Sequence, residues 1–359
     1  MPAALIGLDL DELRHRTEQW GEPAYRARQL FHALYAEGCH DFRRMASLPQ
    51  RLRERLEREA SLGLPRIERR FPSADGTTRY VLRLGDGKTI ETVWMPEARR
   101  QTLCLSTQAG CPVDCHFCAT AQLGLIRNLT AGEIVGQALA VLADHCDDRR
   151  PQTNVVLMGQ GEPLLNYDAT LKAVRLMADP QGMNIPLMKI TLSTSGIVPG
   201  IRRLAREERR PKFALSLNAT TDEQRSALMP INRKYPIAAL LEACRQVPLR
   251  PRERLTLEYV LLGGVNDTPE DARRLVALTR GLRSKINLIP WNAVPNLPYC
   301  VPTNEAVEAF QKILRQAGRL AFIRRSRGQD VAAACGQLAL LETPVVTRAH
   351  ALRDHRLRV

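Results

Sequence analysis

The sequence predicts an α/β fold: a partial (βα)6 barrel with a small N-terminal helical domain and a linking β-hairpin. Two observations predict it. From about Gln101 to Trp291, short strand-like runs alternate with helix-periodic segments, the pattern of parallel βα units. Six such runs are present, short of the eight that close a full barrel. Ahead of them, the spacing of apolar residues is first helical and then strand-like.

From Asp9 to about Glu59, apolar residues recur at helical spacing, as at Ala27, Leu30, Phe31, Leu34 and Tyr35, with arginines between them. Residues 1–60 are therefore expected to form a helical accessory domain. Its Arg26, Arg28, Arg43, Arg44, Arg51 and Arg53 either meet phosphates or make up a solvated charged face. Arg66 to Pro96 has strand chemistry. Tyr80–Leu84 and Thr89–Trp94, joined across Asp86-Gly87, read as a hairpin, giving a linker over 61–100. The barrel is expected over 101–300, with strands at Leu103–Thr107, Asn154–Met158, Lys189–Ser193, Phe213–Leu217, Leu255–Leu262 and Ile286–Trp291. Helical periodicity lies between them, at Ala131–Ala143, Ala169–Met177, Ile237–Arg245 and Pro269–Thr279. A C-terminal part over 301–359 holds a helix (Asn304–Ala317), a strand (Leu320–Arg325), the segment Gln329–Leu338 and a basic tail, Thr347–Val359.

Composition bounds the function. A chain of 359 residues with 44% hydrophobic content buries a sizeable core, so disorder is not expected. A formal charge of +14 and a pI near 9.8 attract polyanions, nucleic acid first among them, without identifying a site. The first residues lack a basic n-region and soon turn charged, and no apolar run nears the roughly 18 residues that span a bilayer. The expected location is cytoplasmic, with no membrane partner. Nine cysteines, an odd number with three clustered, then read as metal or catalytic thiols rather than as a disulfide framework.

The cluster is Cys111-Pro-Val-Asp-Cys115-His-Phe-Cys118, directly after the first barrel strand, where parallel α/β folds place their sites. Three thiolates in one loop can hold three irons of a 4Fe-4S cluster and leave the fourth open to a ligand. A zinc knuckle is the alternative; it needs a fourth ligand, and His116, between two of the cysteines, is badly placed. One βα unit later, Gly159-Gln-Gly161-Glu162-Pro163 offers glycines for close backbone approach and a carboxylate for an ammonium group. Ser193, Ser216, Leu217, Asn218 and Asn292 stand at later strand ends, as turn and capping residues or as a ring around a ligand. Glu91 interrupts an apolar strand pattern, either as a general base or as the solvent-facing member of the alternation. Cys104 and Cys335 read from the residues alone as structural thiols. Cys39, Cys146, Cys244 and Cys300 match no motif and read as core or incidental residues.

The cysteine spacing, with an aromatic before the last, resembles the radical S-adenosylmethionine superfamily. Met158–Asn166, Arg127–Val135, Ile289–Asn292 and Ala333–Leu338 together resemble the RlmN and Cfr family of RNA adenine methyltransferases. The likeness runs from Gly21–Gln29 to about Leu338. It implies a radical S-adenosylmethionine barrel with one 4Fe-4S cluster on Cys111, Cys115 and Cys118. It implies S-adenosylmethionine, two per turnover, bound by Gly161, Glu162, Ser193, Ser216, Leu217, Asn218 and Asn292. It makes Cys335 the cysteine that is methylated first, Cys104 its partner in a transient disulfide, and Glu91 the proton acceptor. The implied reaction is methylation at C2 of an adenine in 23S rRNA, and in some members tRNA. The same chemistry at C8 or on another RNA is the alternative, and a non-enzymatic metal-containing RNA-binding protein a remote one. Carbon 2 carries no acidic proton and is electron-poor, so a radical route is required. RNA is the expected partner, presented as an unpaired or extruded adenine. A reducing system such as flavodoxin is expected, acting on a monomer. The sequence departs from the family pattern at Gln160, where an apolar residue is frequent, at Asn218, where histidine is frequent, and across Arg325–Asp330.

Overall fold

The structure, a computed structural model, describes residues 3–145 and 152–339. Cys146 and the basic tail Thr347–Val359 lie outside the described residues.

The chain opens with β1 (Ala3–Ala4), followed by α1 (Leu10–Gln19), α2 (Tyr25–Phe31) and α3 (Gln50–Glu59); β2 (Ala60–Ser61) then returns parallel to β1. Helix α1 starts at Asp9 with a capping box: the Asp9 carboxylate accepts from the Glu12 amide, and the Glu12 carboxylate accepts from the Asp9 amide. Leu13, Leu30, Leu52 and Leu56 fill the centre of this domain. The domain meets the barrel at Gly7, where φ is +105° and a Cβ would lie 2.6 Å from the Gly132 amide nitrogen.

Three antiparallel strands follow, β3 (Arg66–Pro72), β4 (Thr78–Arg83) and β5 (Thr89–Glu97), and β5 pairs in turn with β6 (Arg100–Cys104). The hairpin expected as a linker is therefore part of the barrel sheet, with β3 as an additional strand. A two-stranded ribbon, β7 (Gln108–Gly110) and β8 (Leu125–Asn128), brackets the cysteine loop. Then come α4 (Ala131–Asp144), β9 (Gln152–Leu157), α5 (Tyr167–Met177), β10 (Ile190–Thr194), α6 (Val198–Ala205) and β11 (Lys212–Ser216). The last units are α7 (Asp222–Leu228), α8 (Ile237–Arg245), β12 (Leu255–Leu261), α9 (Pro269–Leu278), β13 (Ser284–Pro290), α10 (Asn304–Gln316) and β14 (Ala321–Ile323).

Among the described residues these strands form one ten-stranded sheet in the order β14-β13-β12-β11-β10-β9-β6-β5-β4-β3. From β6 to β14 every pairing is parallel. The six expected barrel strands each overlap an observed one, and the strand expected at Leu320–Arg325 joins β13 as a further parallel neighbour. The central strands read as continuous apolar runs because helices cover one face and the interior the other. Among the described residues no helix is long and apolar enough to cross a membrane.

Candidate active site

A cavity of about 170 Å³ opens at the carboxyl ends of the parallel strands, where open α/β sheets bind ligands. Cys111, Cys115 and Cys118 make up one wall. Their loop is fixed by a tight crossing, since a Cβ on Gly110 (φ +75°) would lie 1.9 Å from the Gly124 carbonyl oxygen. Burial pushes the Cys111 thiol up to about 12 and raises Cys115 and Cys118 as well. Free thiols in this wall would stay protonated and inert, whereas coordination to a metal strips the proton outright. Among the described residues no three His, Cys, Asp or Glu side chains converge on a single metal ion. All three cysteines line the same cavity, and in a 4Fe-4S cluster each thiolate meets its own iron. His116 lies outside this cavity as the described residues line it, 3.7 Å from Asp114, so it is not placed as the fourth ligand of a knuckle.

The opposite wall carries polar groups from successive strand ends. Glu162 is 3% exposed, and its carboxylate accepts from the Ser195 amide and hydroxyl, both at 2.7 Å, and from the Leu164 amide at 3.0 Å. Burial raises its pKa, and these bonds oppose the rise. Gly161 (φ +102°) brings the chain so close to Gln108 that a Cβ would sit 2.7 Å from its amide nitrogen. Ser193, Ser216, Asn218 and Asn292 also line this cavity. Leu217 does not: it is wholly buried, its amide donates to the Glu258 carbonyl, and its side chain belongs to the core. Asn218 holds φ +58°, a conformation asparagine tolerates, while its Oδ1 accepts from the Val260 amide at 2.9 Å.

Cys335 stands between this cavity and a second one of about 350 Å³, and lines both. Cys104 lines the second, together with Arg100, Arg324, Arg325 and Arg327. The segment carrying Cys335 is stapled to the cysteine loop. The Ala119 amide donates to Gly336 O at 2.7 Å, the Thr120 hydroxyl to Leu338 O at 2.6 Å, and Asn292 Nδ2 to Cys335 O at 3.1 Å. The turn between β3 and β4 grips the same segment from the other side. The Ser73 hydroxyl donates to Asp330 at 2.5 Å, the Gly328 amide to Asp75 at 3.0 Å and Arg327 Nη2 to Asp75 O at 2.9 Å, while Arg327 Nη1 reaches Pro96 O on β5 at 2.7 Å. Cys104 and Cys335 are both free thiols. Burial, with Cys335 beside it, pushes the Cys104 thiol up to about 12, while the Arg324 guanidinium opposes that rise.

Glu91 is 0% exposed, so it is not the solvent-facing member of the alternation, and neither cavity as lined by the described residues includes it. Its carboxylate is ion-paired with the equally buried Arg79 and accepts from Gln160 Nε2 at 3.3 Å. Its backbone carbonyl accepts from the Ser106 hydroxyl, which in turn accepts from the Gln160 amide at 2.9 Å. Gln160 is thus the link between Glu91 and the glycine loop. In this conformation Glu91 anchors that loop from beneath. Of the arginines in the N-terminal domain, Arg28, Arg43, Arg44 and Arg51 are exposed, while Arg26 and Arg53 are half-buried. Cys39, Cys244 and Cys300 line neither cavity among the described residues.

Two residues that sequence reasoning passed over belong to the site. Glu258 lines the first cavity at 5% exposure; its Oε1 accepts from Asn287 Nδ2 at 3.0 Å, and its Oε2 has no partner among the described residues. Arg324 lies between the two cavities. The signal for Glu258 was present in the sequence as a charge inside the apolar run of β12.

A parallel half-barrel with three loop cysteines facing strand-end polar groups defines a radical S-adenosylmethionine protein. The radical SAM superfamily profile matches residues 105–276, and the ribosomal RNA large subunit methyltransferase N-terminal domain matches residues 3–62. A probable dual-specificity RNA methyltransferase RlmN of Koribacter versatilis is 50% identical over 342 residues, spanning 90% of this chain and 98% of that protein. The dual-specificity RNA methyltransferase RlmN of Syntrophobacter fumaroxidans is 44% identical over 94% of this chain and 98% of its own. A crystal structure of a radical SAM methyltransferase from Sphaerobacter thermophilus superposes with a TM-score of 0.90 at 46% identity, covering 94% of this chain and 99% of that one. The chain belongs to the RlmN family of radical SAM methyltransferases.

Proposed function

We propose that this protein methylates C2 of an adenine in 23S rRNA, and in tRNA as well, through a methyl group carried on Cys335. The observation that carries the reading is the position of Cys335, in contact with both cavities and sharing the second with Cys104. The family relatives named as dual-specificity RNA methyltransferases support RNA as the substrate class.

Cys111, Cys115 and Cys118 would hold the 4Fe-4S cluster, with Glu162 and the strand-end groups around the S-adenosylmethionine. When bound, these groups supply the methyl and the one-electron chemistry that activates it, two S-adenosylmethionine molecules serving each turnover. The remaining steps belong to the chain. The Cys335 sulfur accepts the methyl and presents its carbon to the adenine in the second cavity. One hydrogen atom of the methyl would be removed by that one-electron chemistry, and the carbon then bonds to C2, so the RNA is joined to the protein through Cys335. The hydrogen of C2 leaves as a proton, and the unpaired electron of the adduct would return to the same one-electron chemistry. The Cys104 thiolate then attacks the Cys335 sulfur; the sulfur–carbon bond breaks, its electron pair stays with the departing carbon, which takes up a proton to become the product methyl, and a Cys104–Cys335 disulfide remains. A cellular dithiol returns both to thiols. Arg324, beside both sulfurs, opposes the rise that burial imposes on the Cys104 thiol. The proton-acceptor role for Glu91 requires its carboxylate to leave the Arg79 pair, since it lies outside both cavities here.

Residues 1–60 serve as the RNA-binding accessory domain, presenting Arg28, Arg43, Arg44 and Arg51 to phosphates. Arg100, Arg324, Arg325 and Arg327 around the second cavity add positive charge beside the reacting base. We assign electron supply to a flavodoxin-like donor and the working unit to a monomer. Mass spectrometry of anaerobically purified protein tests the reading. Methylated Cys335 in the wild type, and RNA covalently trapped in Cys104→Ala, are the expected results. An unmodified Cys335 with no trapped RNA, in protein whose cluster is intact, would refute it.

A further inference from the structure

We propose that Arg225 is the built-in counter-cation of the iron-sulfur site: a fixed positive charge behind Cys115 that makes the cluster easier to reduce. Arg225 is 0% exposed and lies in α7, which touches the cysteine loop directly: the amide of His116, next to Cys115, donates to Leu228 O at the end of α7 at 3.0 Å. Its guanidinium makes four hydrogen bonds, and each ends on an uncharged oxygen. Nε donates to Leu217 O at 3.0 Å, Nη1 to Asn232 Oδ1 at 3.0 Å, and Nη2 to Ser195 O at 2.5 Å and Ser216 O at 3.2 Å. Asp222, on the same helix, is committed elsewhere, its Oδ1 accepting from Asn232 Nδ2 at 3.0 Å and from the Ile237 amide at 2.8 Å.

A fully buried cation bonded only to neutral acceptors is expensive unless an anion lies close by. Burial alone weakens its hold on the proton, pulling the guanidinium down to about 10; the first group that counters this is the Cys115 thiolate. The arrangement makes sense when the wall facing Arg225 is negative, as three thiolates on a cluster make it. Each added electron makes that wall more negative, so a fixed cation favours the reduced state more than the oxidised one. The four bonds have a second effect. They tie the strand ends at Ser195, Ser216 and Leu217 to one planar group, so the cation is held rigidly and cannot swing away.

The inference rests on reading Cys111, Cys115 and Cys118 as cluster ligands, and iron analysis of the wild-type protein tests that reading separately: wild type without iron removes it. With iron present, Arg225→Met, Arg225→Gln and Arg225→Lys are reconstituted anaerobically and titrated with reductant, following the reduced cluster by electron paramagnetic resonance. The two neutral variants should shift the reduction equilibrium against the reduced cluster at least tenfold, about 59 mV for one electron. Arg225→Lys, which keeps the charge but not the fork of bonds, should stay within threefold of wild type. Loss of iron from both neutral variants with retention in Arg225→Lys also supports a requirement for charge. A neutral variant with wild-type potential, a lysine variant shifted as far as the neutral ones, or loss of iron from all three would overturn the proposal in favour of a purely structural clamp.

Discussion

Replacing Arg79 with methionine should lower the melting temperature by about 4–7 °C, and replacing Glu91 with leucine in the same chain should restore most of it. Arg79 and Glu91 are both 0% exposed and paired with one another. Taking the cation away leaves a buried carboxylate without its counter-charge, a loss of about 3–5 kcal/mol. Unfolding entropy near 2.1 cal/mol/K per residue, taken over 359 residues, is about 0.75 kcal/mol/K, which converts that loss to the stated range. Methionine suits the test because the Arg79 guanidinium lies 4.1 Å from the centre of the Phe71 ring, and an unbranched apolar chain keeps much of that contact. The double variant exchanges a buried pair for apolar volume, which is neutral or stabilising in other proteins, and should melt within about 2 °C of wild type. Scanning calorimetry at neutral pH provides the readout. Additive losses in the double variant would refute the coupling between the two residues.

Three further outcomes are expected. Glu91→Gln should accumulate the covalent RNA adduct if Glu91 receives the C2 proton, while Glu258→Gln should not; gel analysis showing the reverse would move the role to Glu258, the carboxylate already facing a cavity. Gly161→Ala should weaken S-adenosylhomocysteine binding at least tenfold in equilibrium dialysis with circular dichroism unchanged, because the new Cβ meets the Gln108 backbone at 2.7 Å. Burial raises Asp75, but bonds from Thr77, the Gly328 amide and Ser73 outweigh it and bring its pKa down to about 2. A depressed carboxylate stabilises the fold above its unfolded pKa and loses that contribution as pH falls through the folded one. Hydrogen-exchange protection of residues 328–338, corrected for the intrinsic rate at each pH, should therefore be steady above about pH 4 and fall between about pH 4 and pH 2, and unchanged protection would exclude the clasp.

Local signals made much of this legible from the sequence. Helix α8 begins and ends where its periodicity does, and α4 begins at Thr130, whose hydroxyl and the Glu133 side chain complete a capping box. The cysteine loop and the glycine loop announce themselves through spacing within single βα units. What stayed hidden depends on pairings between distant segments. Glu91 looked like a half-exposed strand position, yet β5 runs inside the sheet between β4 and β6 and is covered on both faces. Its partner was recoverable in principle. The turn at Asp86-Gly87 fixes a register in which Val81 faces Glu91 and Arg79 faces Val93, leaving Arg79 and Glu91 as diagonal neighbours on one face. Leu217 shows the same limit from the other side: adjacent to two cavity-lining residues, it points the opposite way because strand residues alternate. Arg225 carries no local mark at all, since its meaning comes from the strand ends that converge on it.

The clasp on the Cys335 segment has a consequence for the order in which the site is made. Its contacts reach back 218 residues from Leu338 to Thr120 and 257 from Asp330 to Ser73. During synthesis the cysteine loop, the glycine loop and every strand end up to Asn292 are made before Cys335, so the segment that carries it is laid over them last. Cys104 likewise meets Cys335 only once residues 328–338 have folded onto strands made long before them.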